Sequence, residues 1–217
     1  IQSFTYRELD VVSQELAKYL LGKGGLKKGD RAMLVFFPGL EFMISLLACF
    51  KAGIVAVPVF PPDPRKLSKD LHHFVSIQQS SQASVALTHA AYGFAKKVAG
   101  IRNVLSTSGS KWPELKWVAV DDVIKKAKAS AGATSLEEIS LDANEVAFLQ
   151  YTSGSTSEPK GVMISHGNLS HNEQLIAAEL KTTTDTVCVS WLPQYHDMGL
   201  IGSYLGLLYC GGQGFYL

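Results

Sequence analysis

The sequence predicts an α/β domain whose mostly parallel β-sheet carries helices on both faces. Apolar runs of strand length recur as far as Tyr151, and segments of helical periodicity separate them, an alternation that builds parallel sheets. Several of these runs are almost continuously apolar, as strands covered on both faces are. Hydrophobic residues make up 47% of the 217 positions and charged residues 18%, which is enough apolar material to fill such a core.

The elements follow in order. Thr5 and Glu8 form a capping-box pattern, and Leu9, Val12, Leu16, Tyr19 and Leu20 repeat at helical spacing until Gly22. Met33 to Phe37 reads as a buried strand, Phe42 to Lys51 as an apolar helix closed by Gly53, and Ile54 to Val59 as a second strand. The segment Pro58-Val59-Phe60-Pro61-Pro62-Asp63-Pro64 cannot be helical, because its prolines fix φ and remove donors. Lys69 to Gln79 is expected to be a helix, Ser84 to Thr88 a strand and Ala90 to Ala99 a helix. Leu115 to Val120 then reads as a strand, Asp122 to Ala129 as a helix, and the small polar stretch from Ser130 to Ser140 as a surface connection. Glu145 to Tyr151 is a strand that feeds directly into a hydroxyl-rich loop.

Several function classes are disfavoured. The formal net charge is +1, from 20 basic and 19 acidic side chains, which gives no electrostatic footprint for nucleic acid or an anionic membrane. Lys125, Lys126 and Lys128 read as a solvated helix face. Cys49, Cys188 and Cys210 are far apart, with no CxxC pair, and read as reduced thiols of a cytoplasmic protein. The longest apolar stretches, Phe42 to Phe50 and Met198 to Cys210, fall short of the ~20 residues that span a bilayer. The chain begins at Ile1, so a targeting segment upstream stays open.

The informative stretch is Tyr151-Thr152-Ser153-Gly154-Ser155-Thr156-Ser157-Glu158-Pro159-Lys160-Gly161. Small residues let backbone N–H groups approach an anion, hydroxyls add donors, and a lysine supplies a point charge for phosphate oxygens. Turn chemistry alone also favours serine and threonine, so composition leaves a purely structural loop open. Spacing excludes a Walker A loop, since Lys160 follows Pro159 and precedes Gly161. No GxGxxG follows a strand, and Gly202-Ser203-Tyr204-Leu205-Gly206 has its serine one place too early for a nucleophile elbow.

The order Thr-Ser-Gly-Ser-Thr, two residues, then Pro-Lys-Gly resembles the phosphate-binding signature of the adenylate-forming (AMP-binding) superfamily. That superfamily includes acyl-CoA synthetases, peptide-synthetase adenylation domains and luciferases. Phe148-Leu149-Gln150-Tyr151 before the loop, and Val162-Met163-Ile164-Ser165-His166-Gly167-Asn168-Leu169 after it, are most similar to the fatty acyl-AMP ligases. Ser190-Trp191-Leu192-Pro193-Gln194-Tyr195-His196-Asp197-Met198-Gly199-Leu200-Ile201-Gly202 is similar to the family's aromatic-histidine motif, which borders the acyl and adenylate site. Ser157 departs from the pattern, standing where most members carry glycine. A left-handed conformation there would cost about 1 kcal/mol.

The resemblance implies an incomplete N-terminal domain of the acyl-adenylate-forming fold, with residues 1–184 as a first α/β subdomain and 185–217 as the start of a second. It implies ATP-dependent activation of a fatty acid, expected to be long-chain, to acyl-AMP and pyrophosphate, with transfer to an acyl-carrier protein. An acyl-CoA synthetase, or a non-catalytic nucleotide or lipid binder, is the alternative. Thr152, Ser153, Gly154, Ser155, Thr156, Ser157, Lys160 and Gly161 would hold ATP; the alternative for Lys160 is a solvent lysine in a salt bridge. His196 would orient the fatty-acid carboxylate at the adenylate boundary rather than abstract a proton, since that carboxylate is already ionised. Its alternative is a satisfied core histidine. Met198, Gly199 and Ile201 would line the start of an acyl tunnel, or pack as helix core. His166 and Asn168 are expected to cap the helix after the loop. No residue here is given a metal role; Mg2+ ligands, the adenine and ribose contacts, the hinge and the C-terminal lysine are expected outside this stretch.

Overall fold

The computed structural model describes residues 2–63, 67–104, 112–130, 139–152 and 159–217, without the side chains of 67–70 and 99–104. Six strands form the main sheet: β1 (Arg31–Leu34), β2 (Val55–Pro58), β3 (Val85–Thr88), β4 (Lys116–Ala119), β5 (Val146–Thr152) and β6 (Lys160–Ser165). Their order is β4-β3-β1-β2-β5-β6, parallel throughout except for the last pair. The helices are α1 (Tyr6–Leu21), α2 (Leu40–Ala52), α3 (Leu67–Ser81), α4 (Ala90–Val104), α5 (Asp121–Ala129) and α6 (His166–Leu180). Beyond them β7 (Val187–Ser190) and β8 (Gln213–Tyr216) pair in parallel as a separate two-stranded sheet. A π-helix (Met198–Leu205) and the short α7 (Gly206–Cys210) connect the two.

The pleat of β1 explains why its sequence does not alternate. Ala32 and Leu34 face one buried cluster, with Leu16, Leu20, Phe42, Leu46 and Phe148. Met33 and Val35 face the other, with Val57, Leu71, Phe74, Ile77 and Tyr92. Helices α1, α2 and α5 thus cover one face of the sheet, while α3 and α4 cover the other. Burying both faces demands an apolar residue at every position.

Local signals fix the helix ends. Thr5 accepts from Glu8 N–H while the Glu8 carboxylate accepts from Thr5 N–H at 2.7 Å, completing the predicted capping box. Gly53 ends α2 in the left-handed region, at φ 63°, where its N–H reaches the carbonyls of Cys49 and Phe50. Lys125, Lys126 and Lys128 are exposed on α5, whose buried residues are Ile124 and Ala127.

The structure differs from the sequence reading at the end of the hydroxyl-rich segment and at the cap of the helix that follows. The segment's C-terminal end is not loop: Lys160 and Gly161 open β6, which returns antiparallel to β5. Seven residues separate Thr152 from Lys160, too few for the crossover that a parallel return would need. The cap of α6 is Ser165, whose side chain accepts from Asn168 N–H at 3.0 Å while Asn168 Oδ1 accepts from Ser165 N–H. Asn168 therefore takes the expected capping part. His166 is the first helical residue, its ring meeting that of Phe50 edge to face with centroids 5.6 Å apart.

Candidate functional site

The β5–β6 hairpin presents its open end through Thr152 and Lys160, directly paired and both exposed. Ser153, Gly154, Ser155, Thr156 and Ser157 lie outside the described residues. Gly161 pairs with Tyr151, and the phenol ring lies across it: a β-carbon at Gly161 would stand 2.8 Å from Tyr151 Cζ. Tyr151 Oη in turn donates to Ser80 Oγ at 3.0 Å. Packing therefore already accounts for glycine at position 161, beside the phosphate-binding part expected of it.

A cleft of about 660 Å³ opens at the carboxyl ends of the parallel strands, where open α/β sheets place their ligands. Phe37 and Pro38 reach it just past β1, Phe60 and Pro61 just past β2, and Trp191 to Tyr195 form the opposite wall. Its lining is mostly apolar and aromatic, and its volume lies in the range of small-molecule sites. Phe60 and Tyr195 meet edge to face across it, with ring centroids 5.6 Å apart.

Irregular backbone carries the Trp191–Tyr195 wall, and glutamines hold it. Gln194, 3% exposed, donates from Nε2 to the Phe37 carbonyl and accepts on Oε1 from Gly39 N–H, each at 3.1 Å. Gln150, on β5 two residues before Thr152, donates from Nε2 to the Tyr195 carbonyl at 3.2 Å. Its Oε1 is buried with no hydrogen-bond partner among the described residues. The strand that feeds the hydroxyl-rich loop therefore touches the cleft wall directly.

His196 follows that wall, with its side chain 66% exposed and Nδ1 2.6 Å from Asp197 Oδ1. Asp197 also caps the π-helix by accepting from Met198 N–H at 2.8 Å. His196 is thus not a core histidine. Of the proposed tunnel residues, Met198 is exposed, Ile201 half-buried and Gly199 buried; none of them, nor His196, lines the cleft. Gly199 is packed against the Pro193 carbonyl, which a β-carbon there would approach to 2.3 Å. Helix π-segments are rare and recur at functional sites.

Sequence reasoning missed the two glutamines and the aromatic residues at the strand ends. The available signal was position: aromatic and proline residues just beyond apolar strands fall at the ligand end of an α/β sheet.

Two further groups bear on the electrostatics. Glu173, on α6, is 3% exposed, and neither carboxylate oxygen has a hydrogen-bond partner among the described residues. Burial pushes its carboxyl up to about 7. Lys96 lies 3.8 Å from the Trp117 ring centroid and 5.3 Å from that of Trp112; burial lowers its ammonium to about 8. Among the described residues no three His, Cys, Asp or Glu side chains gather as a metal-binding group. No helix among them is long and apolar enough to cross a membrane.

The fold and this site define an α/β class with an apolar cleft at the carboxyl ends of its parallel strands. The chain belongs to the AMP-binding enzyme family, whose model, described as AMP-binding enzyme, matches residues 1–217. It is 34% identical, over 97% of its length and 34% of that protein, to the medium-chain-fatty-acid–[acyl-carrier-protein] ligase JamA of Moorena producens. A Mycobacterium leprae protein provisionally named as a fatty-acid–CoA ligase is 31% identical over 92% of this chain and 33% of its own. The crystal structure of a fatty acyl-adenylate ligase from L. pneumophila, in complex with acyl adenylate and pyrophosphate, superposes with a TM-score of 0.82. That structure is 34% identical, over 99% of this chain and 34% of that one. The chain thus spans about a third of the length of the relatives it matches.

Proposed function

We propose that the protein to which this chain belongs uses ATP to activate a fatty acid as its acyl-adenylate, releasing pyrophosphate, and passes the acyl group to an acyl-carrier protein. The observation that carries this reading is the contact between Gln150 and Tyr195. It sets the mouth of a hydroxyl-rich hairpin beside an apolar cleft, and attack of a fatty carboxylate on an α-phosphate needs those two surfaces side by side.

In this reading Thr152, Ser153, Gly154, Ser155, Thr156 and Ser157 donate to the β- and γ-phosphates, and Lys160 adds charge at the hairpin mouth. Catalysis of this kind rests on positioning and charge stabilisation more than on proton transfer. His196 orients the carboxylate at the adenylate boundary, with Asp197 beside Nδ1. Met198, Gly199 and Ile201 begin the acyl passage. Mg2+ would arrive with the triphosphate; the described residues offer it no ligand set. Residues 1–184 would form the first subdomain and 185–217 open the second. Support for a carrier-protein acceptor comes from the name of JamA, which also places medium-chain acids first in the assay series.

The test is ATP–pyrophosphate exchange by the full-length protein with acids of graded chain length, then offer of holo-carrier protein or CoA to the adenylate. Acid-dependent exchange with transfer to the carrier protein is expected. Acyl-CoA formed as readily would make it a CoA ligase, and absence of exchange with every acid would leave a non-catalytic binder.

A further inference from the structure

Among the described residues, three side-chain hydrogen bonds join the Trp191–Tyr195 wall to the main sheet and its loops: two through Gln194 and one through Gln150. The wall lies between β7 and the π-helix and belongs to neither. Phe37, whose carbonyl Gln194 holds, lines the opposite side of the same cleft. An apolar side chain of Gln194's length would fill its buried place without the cost of desolvating an amide. The amide instead satisfies one N–H and one C=O across the gap, which fixes the spacing and register of two loops that share no strand.

We propose that Gln194 is a positioning residue that sets the width of the apolar cleft and thereby selects the acyl chain, with Gln150 as a second tie. The inference rests on the fatty-acid reading above, and neither glutamine contacts the reacting atoms in it. Without the Gln194 amide, Phe37 and the Trp191–Tyr195 wall lose their shared reference, and acids of different length are admitted more evenly.

The test uses pyrophosphate exchange by the full-length enzyme over the same series of fatty acids. Gln194→Met is expected to raise KM for the preferred acid about tenfold, the scale of one or two lost hydrogen bonds, and to flatten the chain-length profile. KM for ATP is expected to stay within about twofold, as for an interaction confined to the acyl side. Gln150→Met should move the profile the same way by a smaller factor, and it carries the test should Gln194→Met not fold. Gln194→Glu supplies a further readout. A protonated carboxyl can donate to the Phe37 carbonyl and accept from Gly39 N–H as the amide does. The wild-type profile should therefore return towards about pH 6, where a buried carboxyl holds its proton, and be lost near about pH 8. Profiles unchanged in both Met variants, or KM for ATP and for acid rising together, overturn the proposal. Wild-type enzyme without acid-dependent exchange overturns the fatty-acid reading itself and the inference with it.

Discussion

Tyr151 and Gly161 face each other across the β5–β6 hairpin with no space for a side chain between them, since a β-carbon at Gly161 would meet Tyr151 Cζ at 2.8 Å. The ring is held from its far end by Ser80. The mouth of the hairpin, one pair further on, is thus braced by aromatic packing.

Gly161→Ala is therefore expected to lower stability by about 1–3 kcal/mol through overpacking, read as a fall in thermal midpoint. Made in a Tyr151→Ala background, Gly161→Ala should cost less than in the wild type, because the clash then has no second member. An equal cost in both backgrounds would show that the glycine is needed for another reason.

Glu173 gives a pH dependence of defined sign. Its carboxyl, ordinarily near 4.5, is raised by burial to about 7 in the fold. Between those values the folded state holds a proton that the unfolded state has released, so stability falls as pH rises through that window and levels off above it. Glu173→Gln keeps the shape without the charge. It is expected to abolish this slope and to stabilise the protein by on the order of 1–3 kcal/mol at alkaline pH. Denaturation midpoints of both proteins across pH 4 to 8, roughly the interval in which a raised carboxyl titrates, provide the check.

Gly199 meets the backbone of the cleft wall at the Pro193 carbonyl, which also accepts from His196 N–H at 3.0 Å. Gly199→Ala cannot be absorbed by a rotating side chain, because the neighbour is backbone. A loss of at least about 2 kcal/mol is expected, with a weakened response to fatty acid, measured by thermal unfolding and by exchange kinetics.

Nucleotide affinity tests the hairpin mouth directly. Replacing Thr156 and Lys160 together by alanine in the full-length protein should weaken ATP binding by about tenfold or more, as loss of charge-assisted bonds to phosphate requires. Calorimetric titration reads the effect. Unchanged affinity would remove the foundation of the nucleotide reading.

By itself the sequence determined the α/β class, the strand and helix order as far as Tyr151, the capping box at Thr5 and the glycine end at Gly53. Each depends on periodicity or on contacts within four residues, which neighbouring letters specify. It also singled out the hydroxyl-rich segment, because phosphate chemistry needs particular residue types close together along the chain. Only the tertiary structure decided that β6 runs back along β5, that Gly161 and Gly199 are demanded by close packing, and that Gln194 and Gln150 tie the cleft wall to the loop after β1 and to β5. Gln194 lies 155 and 157 positions from its partners Gly39 and Phe37, and Gln150 lies 45 positions from Tyr195. Such contacts come from how the layers stack, and no local pattern encodes which distant backbone a buried amide will find.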